Sequence, residues 1–133
     1  MSHLLDVNFL VACGWRSHVD HRAARRWLEA QRHFYTCPLT QLGFLRVSIS
    51  PAFRATFEDA RGVLQDLARL KGARFLGDTL PATGLPALRS VLEITDAYFV
   101  ALARAKALQL ATLDDALCRK PWAAGIAVNP LIS

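Results

Sequence analysis

The chain has 133 residues, 53% of them hydrophobic, three cysteines and a formal net charge of +5. This size and apolar content predict a single domain over residues 1–133 with one buried core, and the absence of CxxC or zinc-ligand spacing argues against a disulfide- or zinc-based scaffold. No apolar run reaches the roughly 18 residues of a membrane span and no signal peptide is evident, so we expect a cytoplasmic protein with no membrane partner. The positive net charge favours a polyanionic binding partner.

The first half of the chain alternates short strands and helices. The apolar run "HLL" (3–5) is typical of a strand buried on both faces, and a helix is expected to begin at Asp6. Helical spacing of apolar residues predicts a surface helix over 18–31. A second strand is expected at 34–37, followed by a helix from Pro38 to about Ser48, because proline is favoured in the first turn of a helix.

The second half continues the alternation. Apolar residues at helical spacing predict a long helix from Phe57 to Lys71, closed by Gly72 and followed by a strand at 73–76. We expect a short helix over 86–92 and a buried helix capped by Thr95. The segments "LQLAT" and "GIAVN" predict the last two strands.

This order of elements predicts the fold class. Strands that alternate with helices indicate an α/β domain with a central, mainly parallel sheet of about five strands flanked by helices. In such sheets, ligands bind outside the carboxyl ends of the strands.

Three acids follow predicted strands or open a helix at that edge: Asp6, Asp96 and Asp114. Carboxylates held close together repel one another unless a cation neutralises them, and clustered oxygen ligands suit Mg²⁺ or Mn²⁺. Each acid alone has a simpler explanation as a helix cap or as a favourable charge in a first helical turn. Three such acids at one edge are harder to explain in this way.

Four segments, in order, resemble a known family: "LLDVNFLVA", "CPLTQLGFLRVS", "ITDAYFVALA" and "LATLDDAL". They are similar to the PIN-domain ribonuclease toxins of bacterial toxin–antitoxin pairs, the VapC-like family. The resemblance implies a PIN-like fold and an Mg²⁺- or Mn²⁺-dependent endoribonuclease that hydrolyses RNA phosphodiester bonds, is neutralised by a cognate antitoxin and forms a homodimer. It also implies that Asp6, Asp96 and Asp114 are the catalytic and metal-binding residues.

One position departs from the family's pattern. Where the family commonly has Glu in "T-E-x-x-x-x-R", this chain has Gln41, which brings an amide and no negative charge. Three explanations are open: Glu93 or Asp115 compensates, the site works with three acids, or catalysis has been lost. The three-acid site is our first choice.

Other polar residues are candidates for supporting the pocket. Asn8 and Thr112 fall at its expected rim, although each could simply satisfy local backbone groups. Arg46 could hold a pocket carboxylate, meet the RNA phosphate or form a plain surface contact. His18 and His21 have metal-ligand spacing, but without a third ligand we expect exposed helical histidines.

Two rival functions remain. The first is a degenerate PIN domain that binds RNA or an antitoxin without cutting, which Gln41 motivates. The second is a phospho-accepting receiver domain, which also gathers acids at strand ends. That class has paired acids after its first strand and a lysine after its last, whereas "HLLDVN" has one acid and "GIAVNP" has no lysine.

Overall fold

A computed structural model describes residues 1–132 of the chain. The five strands are β1 (His3–Leu5), β2 (Phe34–Thr36), β3 (Ala73–Phe75), β4 (Gln109–Ala111) and β5 (Ala127–Val128). The α-helices are α1 (Val7–Gly14), α2 (His21–Ala30), α3 (Pro38–Ser48), α4 (Phe57–Ala68), α5 (Ile94–Ala105) and α6 (Asp115–Cys118). Single 3₁₀ turns occur at Ala82–Gly84, Val91–Glu93 and Pro121–Ala123.

The strands form one sheet in the order β3-β2-β1-β4-β5, and every neighbouring pair is parallel. The predicted α/β class and strand number are therefore confirmed. The first strand lies at the centre, and its pairing with β4 is extended by Asp6, whose backbone N–H donates to the Ala111 carbonyl at 2.8 Å. Residues that follow β1 and β4 are thus held side by side at the carboxyl edge of the sheet.

Two apolar layers cover the faces of the sheet. Because side chains alternate along a strand, Leu5 packs with Phe9, Leu28 and Phe44 from the helices on one face, and Leu4 packs on the other. The second layer is built mainly by α5, which buries Tyr98, Phe99, Val100, Leu102 and Ala103. This burial explains why the sequence of α5 is apolar on nearly all sides.

Most predicted elements are found, and the differences occur at their ends. The surface helix begins at His21 instead of His18, because residues 15–20 form turns. The long helix ends at Ala68, before Lys71. Gly72 follows it where a Cβ atom would lie 3.0 Å from the carbonyl oxygens of Gln31 and Arg32, so glycine is needed there for close approach to the backbone.

The predicted helix over 86–92 is wrong. Leu85 is extended, as expected for a residue before proline, and only Val91–Glu93 forms a 3₁₀ turn. Ser90 caps that turn and Glu93 bonds back to the Ser90 N–H, so the chain is already helical at Ile94. The predicted cap, Thr95, therefore lies inside α5. No helix within residues 1–132 is long and apolar enough to cross a membrane.

Candidate active site

Asp6, Asp96 and Asp114 line one cavity of about 350 Å³. They come from the end of β1, the first turn of α5 and the segment between β4 and α6. The cavity is completed by the following side chains: Val7, Asn8, Val11, His18, Val47 and Phe53. The structure thus brings together three acids that are far apart in the sequence, at the edge of the sheet where ligands of α/β domains bind.

Asp6 is the most buried of the three acids, with 5% of its surface exposed. One carboxylate oxygen accepts the Val7 N–H at 2.8 Å and caps α1, and the other accepts the Thr112 hydroxyl at 2.8 Å. Burial raises the pKa of Asp6, the two hydrogen bonds oppose the rise, and the negative charge of Asp114 adds to it. The pocket therefore holds a buried carboxylate in a fixed orientation at some electrostatic cost.

Thr112 and Asn8 connect these acids. The fully buried Thr112 hydroxyl donates to Asp6 and accepts the backbone N–H of Asp114 at 3.1 Å. Asn8 donates its amide to the same hydroxyl at 3.3 Å and accepts the Leu113 N–H at 3.0 Å. Both residues were predicted at the rim of the pocket, and both tie the β4–α6 segment to β1 and α1.

Asp114 and Asp96 keep carboxylate oxygens free. Asp114 caps α6 with one oxygen, which accepts the Leu117 N–H at 3.1 Å. In the described part of the chain, its other oxygen and both oxygens of Asp96 accept no protein hydrogen bond of their own. Burial, followed by the negative charges of Asp6, Asp114 and Glu93, raises the pKa of Asp96 to about 6.

This donor set fits a small divalent cation. Carboxylate oxygens are the ligands that Mg²⁺ and Mn²⁺ prefer, and a cation relieves the repulsion that raises the pKa of Asp96. Among residues 1–132, no group of three acidic, histidine or cysteine side chains is already drawn together at metal-binding separation. Mg²⁺ typically uses only one or two carboxylates and keeps several waters, so the cavity can suit it without a complete protein cage.

Comparison with known proteins identifies the family. A family model described as the PIN domain matches residues 3–123. The chain belongs to the PIN-domain family. Ribonuclease VapC38 of Mycobacterium tuberculosis is 41% identical over 118 residues, which cover 84% of each chain. Ribonuclease VapC39 of the same species is 34% identical over 127 residues, covering 88% of this chain and 91% of the relative. The resemblance to VapC-like toxins is thereby confirmed.

Solved structures share the fold at low sequence identity. The crystal structure of VapC20 of Mycobacterium tuberculosis, described as a sarcin–ricin loop cleaving toxin, has a TM-score of 0.64 at 16% identity, covering 88% of this chain and 92% of that one. VapBC2 of Rickettsia felis, solved bound to a DNA fragment from its promoter, has a TM-score of 0.63 at 15% identity, covering 96% and 98%. These two structures support the PIN fold alone.

In this PIN domain, Gln41 does not line the acidic cavity. Its amide donates to the Thr36 hydroxyl at 3.1 Å, and its side chain borders a small void between β2, β3 and α4. Gln41 and Val47 lie on different sides of α3, because six residues at 100° each amount to 600°, which leaves the two side chains about 120° apart around the axis. Only Val47 of α3 lines the cavity. Position 41 is thus not among the residues that line the cavity of the three acids.

Three other candidates also lie outside the cavity. Arg46 is exposed and borders a separate apolar groove, and it forms no ion pair with a residue in the described ranges. Asp115 is exposed as the first residue of α6. Glu93 accepts the N–H groups of Arg89 and Ser90 at 3.1 Å each, and pairs with Lys120 at 3.2 Å. These contacts lower the pKa of Glu93, so it acts on the pocket only through its charge.

Sequence reasoning missed two residues that line the cavity. His18 was expected on a helix but lies in the turn before α2, where it faces the same cavity as the acids. Phe53 lies in the loop after α3, a segment with no regular pattern. Neither residue belongs to a helix or strand pattern that could have indicated its position from the sequence. Only the convergence of two loops on the carboxyl edge of the sheet reveals them.

Proposed function

We propose that the protein is an endoribonuclease toxin that hydrolyses RNA phosphodiester bonds with Mg²⁺ or Mn²⁺ and is neutralised by a cognate antitoxin. The observation that carries the proposal is the single cavity shared by Asp6, Asp96 and Asp114. The relatives named as ribonucleases VapC support the reaction, and the resemblance to the toxins of toxin–antitoxin pairs supports an antitoxin partner.

The residues of the chain would act as a fixed electrostatic frame. Asp96 and Asp114 would hold the cation through their free oxygens. Asp6, whose two oxygens accept the Val7 N–H and the Thr112 hydroxyl, would contribute its negative charge and a remaining lone pair. When bound, such a cation supplies positive charge to the scissile phosphate and to the attacking water. Thr112 keeps the Asp6 carboxylate in one orientation, which lowers the reorganisation needed during the reaction. Val7, Val11 and Val47 form an aliphatic wall beside the acids.

The direct test is cleavage of RNA by the full chain with added Mg²⁺ or Mn²⁺. We expect Asp6→Asn, Asp96→Asn and Asp114→Asn each to lower the cleavage rate at least about 100-fold, because each removes a charge from the cavity. Asp115→Asn is the matched control, since it makes the same change at an exposed neighbour outside the cavity. Equal cleavage by the wild type and all three cavity variants would reject the assignment.

A degenerate domain that binds RNA without cutting is not favoured. That alternative rested on Gln41, whose side chain bonds to Thr36 and does not line the cavity of the acids. The three acids that line the cavity are all present. The three-acid site therefore remains the better explanation of the sequence.

We also propose a homodimer that acts in the cytoplasm. An apolar groove of about 510 Å³ runs between α3 and the start of α5, and it is bordered by the exposed side chains of Leu39, Leu42 and Ile94. Exposed apolar patches of this kind mark protein interfaces. We expect Leu42→Asp to produce a monomer in light scattering, while Val19→Asp, at an exposed site outside the groove, leaves the dimer intact. The three free cysteines suit a reducing compartment.

A further inference from the structure

Two loops place a histidine and a phenylalanine beside the acid cluster. His18 comes from the turn between α1 and α2, and Phe53 from the loop between α3 and α4, and both line the cavity of Asp6, Asp96 and Asp114. The three acids repel an RNA backbone, so binding of the substrate needs other contacts at the rim. We propose that His18 and Phe53 form a nucleotide clamp in which Phe53 stacks on an unpaired base and His18 donates a hydrogen bond to an adjoining phosphate oxygen.

The hydrogen bonding of His18 determines which role its ring can take. Its Nδ1 accepts the backbone N–H of Asp20 at 3.0 Å, so this nitrogen is unprotonated and the neutral ring carries its proton on Nε2. Metal-bound histidines show the opposite arrangement, in which the nitrogen away from the metal donates to a carboxylate or carbonyl. Nε2–H has no acceptor within residues 1–132 and is a donor. His18 is therefore suited to a phosphate oxygen and not to a cation.

The turn that carries His18 is held in place. The backbone N–H of His18 donates to the Trp15 carbonyl at 3.1 Å, and the His18 carbonyl accepts the N–H of His21 at 3.0 Å. Trp15 is itself fixed, because its Nε1–H donates to the Ser48 hydroxyl at 2.8 Å and its ring stacks on Phe44 with a centroid distance of 6.2 Å. The donor is thus presented by an ordered turn.

The loop that carries Phe53 is anchored at the same residue. The backbone carbonyl of the fully buried Ser48 accepts the N–H of Ala55 at 3.0 Å, and the carbonyl of Ser50 accepts the N–H of Phe53 at 3.1 Å. Arg54 has a φ of 59°, a left-handed conformation that is uncommon for residues other than glycine. Ser48 therefore links the two halves of the clamp, and the turn holds an aromatic ring 41% exposed beside a charged cavity.

The chemistry of this pair favours an unpaired nucleotide. An aromatic face stacks on any base that is splayed out of a helix, and such stacking contributes to binding of single-stranded RNA without selecting a particular sequence. The Nε2–H of His18, left free by the bond of Nδ1 to Asp20, is a donor that can reach a phosphate oxygen beside the stacked base. The clamp rests on the proposed function, because it positions the RNA strand for cleavage at the acid cluster.

The test separates binding from cleavage. Fluorescence anisotropy of a labelled pool of random-sequence single-stranded RNA, measured in EDTA with the full chain, gives the affinity without turnover. We expect Phe53→Leu and His18→Ala each to weaken binding about 5- to 100-fold. Phe53→Tyr and His18→Gln, which keep the ring and the N–H donor, should stay within about threefold of the wild type. Phe75→Leu is the matched control, because Phe75 is exposed on β3 and does not line the cavity.

Cleavage kinetics with Mg²⁺ supply the second readout. The clamp predicts that Phe53→Leu raises KM more than it lowers kcat. Equal affinity and KM for Phe53→Leu, His18→Ala and the Phe75→Leu control would overturn the clamp while leaving the ribonuclease intact. Binding that depends on Phe53 in a protein that cuts no RNA would instead support the clamp and reject the proposed reaction. No binding of the RNA pool by the wild type would also count against the clamp.

Discussion

Replacing Asp96 with asparagine should stabilise the metal-free protein while abolishing its activity. Burial and the charges of Asp6, Asp114 and Glu93 raise the pKa of Asp96 from 3.8 to about 6. The folded state thus binds the proton more tightly than the unfolded state. The stability that this provides is fully present below about pH 4 and is lost as the pH rises through about 6. Asparagine carries no charge and avoids this loss.

The magnitude follows from the shift. A pKa difference of about 2 units between the folded and unfolded states corresponds to a free-energy difference of about 3 kcal/mol, at about 1.36 kcal/mol per unit. Asp96 is only partly buried, so solvent screening reduces the expected gain to about 1–1.5 kcal/mol at pH 7. For a chain of 133 residues, that gain raises Tm by about 4–6 °C.

Thermal unfolding in EDTA at a series of pH values measures this effect. The difference in Tm between Asp96→Asn and the wild type should be near zero at pH 4 and reach its full size by pH 7. Added Mg²⁺ should raise the Tm of the wild type more than that of the variant. Asp115→Asn makes the same change outside the cavity and should not stabilise the protein. A variant no more stable than the wild type at pH 7 would refute the idea that Asp96 lies in a repulsive acid cluster.

Three further changes have definite expected outcomes. Gln41→Glu should leave Mg²⁺ affinity within about twofold in calorimetry, because the side chain at this position bonds to Thr36 and does not line the cavity of the acids. Thr112→Val should lower the free energy of unfolding by about 1.5–3 kcal/mol in urea, since it removes a hydrogen bond to the buried Asp6 carboxylate. It should also reduce cleavage. Gly43→Ala should cost about 1–3 kcal/mol in the same assay, because its Cβ would lie 2.5 Å from a methyl group of Val7.

The layers of the fold were predictable because each leaves a local pattern in the sequence. The run "HLL" is apolar on both faces of β1, and Pro38 marks the start of α3. The region between β3 and α5 was not predictable in this way. Its boundaries depend on the capping of one 3₁₀ turn by Ser90 and on the extended residue before Pro86, and these local bonds override weak helical periodicity.

The acid site was predictable to the extent that it follows from strand ends. Asp6 directly follows β1 and Asp114 lies three residues beyond the end of the neighbouring parallel strand β4, so their proximity follows from the topology. The side of α3 on which Gln41 lies could not be predicted, because a motif gives position along a helix without specifying which of its sides faces the pocket. A shift of one or two positions rotates a side chain by 100° to 200°. His18 and Phe53 could not be predicted, because loop conformation depends on tertiary anchors such as Ser48.

Helix capping and cation binding are not competing explanations for the acids at the sheet edge. Asp6 and Asp114 each use one oxygen to cap a helix, at 2.8 and 3.1 Å from the backbone nitrogen. The cap fixes each carboxylate close to the sheet. In Asp6, the second oxygen accepts the Thr112 hydroxyl. In Asp114, the second oxygen accepts no protein hydrogen bond within the described residues. Serine or asparagine could supply the cap but not the charge. Aspartate at both caps is therefore what the proposed cation site requires.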